Sequence, residues 1–571
     1  PAEVAIVGDP KLVLRQLMHL PTFDAVEMAA ATDRSASTPA LRKLDISSRP
    51  DAWVTGDPLP MPAGSPEHLF AALQQTAERF PGRGLILLDA QLNETRFSYA
   101  QLVDAARIAA AGFLRAGIQP GAIVLLQMPF DQRFFAVWWG AVLAGIRPLN
   151  VAMPEQYSAR NGVAQKLYNV AHNFTELTVV AEAGRVIATQ QWLGEKKTVI
   201  SADALLEHGE RCEAAPVSRD PVAFLQLTSG STGTPKAIQI THRGILHHVA
   251  ASAIHNRYSS DDISLNWLPF DHVVPILTTH IKDCVLGIQQ VQLPTVSVLN
   301  DPLLWLNAMS QYRVTYSWAP NFAYQRVVEA LRQRTLLSAP DLSCVKILMN
   351  AGEQVLAPVV TDFQVACEPF GLKPNAVQPA FGMAEACTCM TYNNDSDRVL
   401  SVRFNNTLDP AVCDVNDQGQ HGFVDLGSVV PGVEIRITND GNELVKEGVI
   451  GRLQIRGPVV TPGYLNNAEA NAEAFVGDEW FNSGDLGFIW NRRLVLTGRE
   501  KEMIVVRGAN YYCFELEQVV ANIPGVVPTF VAATGAALQD GSNSDALVLF
   551  YVSDNSVDAT VLERQILARV A

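Results

Sequence analysis

The sequence predicts an α/β protein: a large N-terminal domain of two doubly wound sheets plus a β-rich subdomain, then a small α+β C-terminal domain. Three observations carry that prediction. Between residues 84 and 201, short apolar runs of strand length alternate with helix-periodic ones, the rhythm of βαβ units and mostly parallel sheets. From Gly422 to Arg456 the pattern becomes β-rich, with Pro431-Gly432 and Asp440-Gly441 as turns. After Gly498 a short α+β pattern starts again. A chain of 571 residues is too long for one core and suggests about three or four folding units.

Taken in order, residues 1–65 read as an N-terminal extension and linker, because Ser47 to Pro50 and Pro58 to Gly64 are rich in chain breakers. The large domain, 66–496, opens with Glu67-His68-Leu69-Phe70, where apolar residues take helical spacing. A strand follows at Gly84 to Leu88, and Ser98 stands as the N-cap of the next helix. Ala122 to Met128, Phe134 to Ala144, Thr178 to Ala181 and Thr198 to Ser201 continue the alternation. The C-terminal unit, 497–571, closes on a helically spaced segment, Val561 to Ala571, without a stop signal, so this unit is expected to be incomplete.

Hydrophobic residues make up 48% of the chain and charged residues 18%, the balance of a globular protein with a large interior. Net charge is −15 with no basic tract, which argues against a nucleic-acid or anionic-membrane surface. Eight cysteines are scattered without paired metal-ligand spacing, as expected of free thiols in a reducing compartment. Neither a signal peptide nor an apolar run of membrane-spanning length appears, so no membrane insertion and a cytoplasmic location are expected.

The run Thr228-Ser229-Gly230-Ser231-Thr232-Gly233-Thr234-Pro235-Lys236 combines five hydroxyls, two glycines and a lysine directly after the apolar stretch Val222 to Leu227. Glycines let the backbone approach an anion, successive N–H and hydroxyl groups donate to its oxygens, and the lysine adds charge. This is the make-up of a phosphate cradle, though its Gly and Lys spacing is not that of the P-loop. Further along, Asn266-Trp267-Leu268-Pro269-Phe270-Asp271-His272 places aromatics, a carboxylate and an imidazole on a turn. Tyr316 to Tyr324 reads as a strand end delivering aromatic surface, suited to an apolar or cationic ligand. Asn350-Ala351-Gly352-Glu353 and Phe381-Gly382-Met383-Ala384-Glu385 are loops at strand ends that finish in an acid, where parallel sheets bind ligands. Asn482-Ser483-Gly484-Asp485 sets an acid in a tight glycine turn, and Thr497-Gly498-Arg499-Glu500-Lys501 follows.

In this order the segments resemble the adenylate-forming superfamily over residues 66–571, most nearly the fatty acyl-AMP ligases and the loading adenylation domains of polyketide and nonribosomal peptide synthases. The resemblance implies ATP and Mg²⁺. Thr228, Ser229, Gly230, Ser231, Thr232, Gly233 and Lys236 would hold the triphosphate. Ala351, Gly352, Glu353, Phe381, Gly382 and Met383 would border the adenine, Asp485 and Arg499 the ribose, and Thr228 with Glu385 the metal. Trp267, Phe270, Asp271, His272, Trp318, Asn321, Phe322 and Ala380 would shape the acid pocket, with His272 beside the reacting carboxylate. Lys501 would be the pivot of an interdomain hinge.

Three departures stand out: Ala237 replaces the glycine usual after the loop lysine, and Phe270-Asp271-His272 replaces the Tyr-His-Asp type of long-chain members. The family's late glycine-flanked lysine would lie beyond Ala571. The implied activity is acid activation as an acyl-adenylate, then transfer to the phosphopantetheine thiol of an acyl carrier protein, in a starter-loading module. An acyl-CoA ligase and a non-catalytic adenylate-binding or carrier-docking module are the alternatives. The pocket aromatics lean toward a short or functionalised acid, including one with a cationic head.

Overall fold

In the strand Ile123–Gln127, Val124 and Leu126 join one apolar cluster while Ile123 and Leu125 join another. Alternate side chains of a strand point to opposite faces, so this sheet is covered on both sides, as a doubly wound sheet must be. The computed structural model in which this is seen describes residues 48–570 apart from 62–63, 213–221, 229–234, 335–337, 395–402, 405–409, 412–422, 507–508, 522, 538–544 and 555.

The strand order in that first sheet is Thr198–Ser201, Leu177–Ala181, Ile123–Gln127, Arg147–Asn150, Val222–Leu227, Ala237–Thr241. Every neighbouring pair is parallel except the last, an antiparallel hairpin. A second parallel array runs Gly84–Leu88, Gln289–Gln292, Ile263–Asn266, Tyr316–Ala319, Ile347–Asn350, Val377–Met383. Its last strand does not end the sheet. Past a bulge at Phe381/Gly382 it pairs antiparallel with Thr388–Tyr392, and the sheet continues into a β-rich part ending at Glu434–Thr438 and Trp53–Thr55.

Two helices show how the parallel arrays share a core. Tyr99–Arg115 begins with a capping box, in which Ser98 Oγ accepts from the Gln101 N–H at 3.2 Å and Gln101 Oε1 from the Ser98 N–H at 2.8 Å. Its buried stripe, Leu102, Ala106, Ala110 and Phe113, packs on Gln132–Leu143. That second helix is buried almost all round: Trp138 meets Phe224 of the first sheet at 5.6 Å, and Trp139 donates through Nε1 to His280 Nε2 at 2.8 Å on the other side. A helix apolar on every face belongs between layers.

Part of the segment read from sequence as linker is strand. Trp53–Thr55 pairs with Glu434–Thr438, and Trp53 Nε1 donates to Glu434 Oε2 at 3.1 Å. Its alternating burial, with only Val54 inward, is the pattern of an edge strand, too short to register against the flanking prolines. Asn350, read from sequence as loop, is the last residue of the strand Ile347–Asn350. After Arg499 the chain forms the hairpins Met503–Val506/Ala509–Tyr512 and Val526–Ala537/Asp545–Ser553 with helices Cys513–Ala521 and Ala559–Val570, around a separate cluster of Val520, Ile523, Val526, Leu562 and Ile566. Among the described residues no helix is long and apolar enough to cross a membrane.

Candidate functional site

The hairpin Val222–Leu227/Ala237–Thr241 closes at its neck by a reciprocal pair of bonds. The Thr228 N–H donates to the Lys236 carbonyl at 2.9 Å, and the Lys236 N–H donates to Thr228 Oγ1 at 3.1 Å. Thr228 and Lys236 are thus held side by side at the mouth of the loop, while Ser229, Gly230, Ser231, Thr232 and Gly233 lie outside the described residues.

Lys236 does not point into open solvent. Its Nζ sits 4.9 Å from the ring centre of Tyr464, whose hydroxyl donates to Glu385 Oε1 at 2.9 Å. Glu385 is buried on the short turn Ala384–Ala386, which follows the strand that switches from parallel to antiparallel pairing. Burial raises its carboxyl pKa, and Tyr464, Arg499 and Lys236 pull it back down. The switch brings Gly382 so close to the neighbouring strand that any Cβ there would overlap the Thr388 carbonyl. Cys387 and Thr388 both take positive φ, 54° and 90°, where the chain leaves the Glu385 turn.

Asp485 and Arg499 stand opposite each other on the paired strands Trp480–Trp490 and Arg493–Arg499. Arg499 Nε donates to Asp485 Oδ1 at 3.1 Å, while Oδ2 is buried without a partner. Burial pushes the Asp485 carboxyl up to about 6; Arg499 and the Ser483 hydroxyl lower it, and the nearby Glu385 charge raises it further. Lys501 follows in the turn Glu500–Glu502, two residues past Arg499.

Ala351 and Gly352 lie at the end of Ile347–Asn350, which pairs parallel with the strand carrying Ala380, Phe381, Gly382 and Met383. Gly352 takes φ +93°, a conformation that favours glycine. Glu353 Oε1 accepts from the Phe322 N–H at 2.6 Å and so caps the helix Asn321–Gln333. Asn321 Oδ1 accepts from Asn350 Nδ2 at 3.2 Å and from the Leu356 N–H at 3.1 Å, tying the two strand ends together. Glu353 and Asn321, expected to touch ligand, use these atoms on the fold itself.

The acid-pocket residues divide. The turn Pro269 to His272 is pinned to the first sheet: Asn150 Nδ2 donates to the Phe270 carbonyl and Gln226 Nε2 to the Asp271 carbonyl, both at 3.0 Å. Gln226 lies two residues before Thr228, so His272 and Asp271 are carried to the phosphate-loop side. His272 is exposed at the rim, yet the surrounding protein lowers its imidazole pKa against the opposing pull of Asp271. Trp267 and Phe270, in contrast, are core side chains, 1% and 3% exposed. Trp267 packs toward Trp305, and Phe270 sits among Phe130, Phe134 and Phe135. The pocket role expected of these two is therefore corrected, because a turn of mixed aromatic and polar residues does not tell which side faces the core.

Trp318 lines a recess together with Ser317, Met349, Tyr392, Tyr316 and Lys282, the last of these missed from sequence. Lys282 is buried, 3.1 Å from Asp283 and 4.0 and 3.5 Å from the ring centres of Tyr258 and Tyr316. Asp283 also accepts from Ser264 Oγ and the Tyr316 hydroxyl. The tyrosine faces that a cationic head would use are already taken by a cation of the protein itself.

Comparison with known proteins identifies the family and the fold. A family model described as AMP-binding enzyme matches residues 73–465. An atromentin synthetase of Paxillus involutus is 31% identical over 505 residues, covering 85% of this chain and 50% of its own. A nonribosomal peptide synthetase of Aspergillus terreus is 29% identical over 542 residues, covering 93% and 54%. The chain spans about half the length of the curated relatives it matches. Among solved structures, McyG A-PCP complexed with phenylalanyl-adenylate superposes with a TM-score of 0.80 at 31% identity, over 91% of this chain and 79% of that one. An adenylation domain of a keto acid-selecting module, bound to keto acyl adenylate, gives 0.76 at 30%, over 91% and 94%. Fatty acyl-adenylate ligases of E. coli and L. pneumophila, at 22% identity and 0.78, share the fold, over 90% of this chain and 92% of that one.

Proposed function

This chain belongs to the AMP-binding enzyme family of adenylate-forming enzymes, and on that premise we propose that it activates a carboxylic acid with ATP and hands the acyl group to a carrier-protein thiol. In the first step a carboxylate oxygen bonds to the α-phosphorus, the α–β bridging bond breaks, and pyrophosphate leaves. In the second, the phosphopantetheine sulfur bonds to the acyl carbon and AMP departs with the electrons of the broken C–O bond. The observation that carries the reading is that four separate segments bring Lys236 and Arg499 to bear on Glu385 and Glu385 to bear on Asp485, whose buried Oδ2 lacks a donor.

That oxygen, Asp485 Oδ2, suits a ribose hydroxyl, since each hydroxyl brings the missing donor. Lys236, released from the Tyr464 face, would reach phosphate oxygens, and the loop neck at Thr228 would fix where they sit. Glu385 and the Thr228 hydroxyl are hard oxygen ligands of the kind magnesium takes beside substrate phosphates. When bound, that ion would supply charge neutralisation on the triphosphate. His272 at the rim would flank the incoming carboxylate, and Lys501 would be the pivot of a hinge that exchanges the first step's site for the second's. The protein's part is positioning and electrostatic stabilisation, with no covalent nucleophile.

The carrier protein as acceptor, and a loading role in an assembly line, are supported by the nonribosomal peptide synthetases among the relatives and by a solved neighbour whose adenylation and carrier parts occur together. The compact acid is this reading's own choice, supported by the smallness of the recess that Trp318, Met349, Tyr392 and Lys282 line. The test is ATP–pyrophosphate exchange over a panel of carboxylic acids, followed by loading of a phosphopantetheinylated carrier protein in competition with coenzyme A. Exchange with a compact acid and faster loading of carrier than of coenzyme A are expected. Equal loading would replace the carrier with coenzyme A, and ATP binding without exchange for any acid would overturn the catalytic reading.

A further inference from the structure

The phosphate hairpin and the Glu385 turn are joined by a segment that neither motif contains. From Thr461 to Leu465 the chain lies against the strand Ala237–Thr241: the Leu465 N–H donates to the Ala237 carbonyl at 2.8 Å and the Gln239 N–H to the Gly463 carbonyl at 3.2 Å, with Tyr464 opposite Ile238. At its other end the Thr461 N–H donates to the Glu385 carbonyl at 2.7 Å, and Thr461 Oγ1 to the Gln239 carbonyl at 2.7 Å. The backbone of this segment is thereby fixed to both halves of the site.

The Tyr464 side chain repeats the connection. It is 7% exposed, its ring faces the Lys236 ammonium, and its hydroxyl donates to Glu385 Oε1. A carboxylate on a short turn has several rotamers. One donated bond from a ring with only two side-chain torsions, anchored on a clamped backbone, selects the rotamer at little entropic cost.

We propose that Tyr464 is a positioning residue of the adenylation site: its hydroxyl holds Glu385 oriented for the divalent ion, and its ring face gives Lys236 a resting place until phosphate arrives. The inference rests on the reading of Glu385 as the magnesium carboxylate.

The experiment is a double-mutant cycle of Y464F and E385Q, read by calorimetric titration of ATP with and without Mg²⁺. Y464F keeps the ring and removes the hydroxyl. It is expected to cut the Mg²⁺-dependent gain in ATP affinity about tenfold, the weight of a hydrogen bond to a charged group. Metal-free ATP affinity should stay near that of the parent. Combined with E385Q, Y464F should add nothing, since the two act through one carboxylate.

A full Mg²⁺ gain in Y464F, or losses that add to those of E385Q, would overturn the proposal. So would a Y464F protein that does not fold, since the hydroxyl would then be holding the fold instead of the carboxylate. If the parent binds ATP with Mg²⁺ but activates no acid, the proposed function fails while the calorimetric cycle still decides the role of Tyr464.

Discussion

Replacing Asp485 by asparagine sets stability against nucleotide binding. Burial holds this carboxyl at about 6 in the folded chain, from an ordinary value of 3.8. The folded chain therefore keeps a proton that the unfolded chain releases between about pH 4 and 6, and stability falls as pH rises through that window. Above it the penalty is constant. A shift of this size corresponds to roughly 3 kcal/mol, already net of the attraction of Arg499.

An asparagine side chain cannot ionise, so D485N should melt a few degrees above the parent at pH 8, with the two curves converging toward pH 4. The price appears in function: the ribose hydroxyls would lose bonds to a charged acceptor, a cost of about 1.5–3 kcal/mol, or at least tenfold in ATP affinity. Melting curves from pH 4 to 8 and calorimetry with ATP at pH 8 make the test. A D485N protein that melts lower at pH 8 would show that the Arg499 pair outweighs desolvation. Unchanged ATP affinity would remove Asp485 from the ribose site.

Other expectations follow from the same geometry. Gly382→Ala places a Cβ on the Thr388 carbonyl at the sheet switch, and should destabilise the chain by about 3 kcal/mol or more in chemical denaturation, because backbone must move. Lys282→Met leaves Asp283 buried with only its hydroxyl donors, a loss of about 3–5 kcal/mol, much of which should return in K282M/D283N when the same denaturation series is run. Acids with a cationic head should be poor substrates in the exchange panel, since Lys282 already occupies the faces of Tyr258 and Tyr316; efficient activation of such an acid would contradict that assignment.

The residues that act through backbone geometry or charge were legible in the sequence. A Gly/Ser/Thr run closed by lysine has few uses, and the family resemblance set Asp485 and Arg499 at one ribose, although Asp485 lies within the strand Trp480–Trp490 and not in the glycine turn expected. Trp267, Phe270 and Tyr464 were not legible in the same way. An aromatic side chain can fill a core, wall a pocket or donate a bond, and the sequence pattern around Trp267 is alike in all three cases. Tyr464 follows Pro462-Gly463 in what reads only as a turn, although the structure makes it the link between Lys236 and Glu385.

What the sequence alone determined is therefore a set of local elements: the strands Gly84–Leu88 and Val222–Leu227 and the Ser98 cap. These depend on periodicity, capping and turn chemistry, all short-range. The tertiary structure decided the rest. It converted Val377–Met383 from the last parallel strand into the first of an antiparallel sheet, and so carried Glu385 toward Asp485, a hundred residues away. It also chose which aromatics face the core, and it placed a buried lysine behind Trp318. Such choices belong to contacts between distant segments, whose energies depend on which surfaces meet, and no local pattern encodes that.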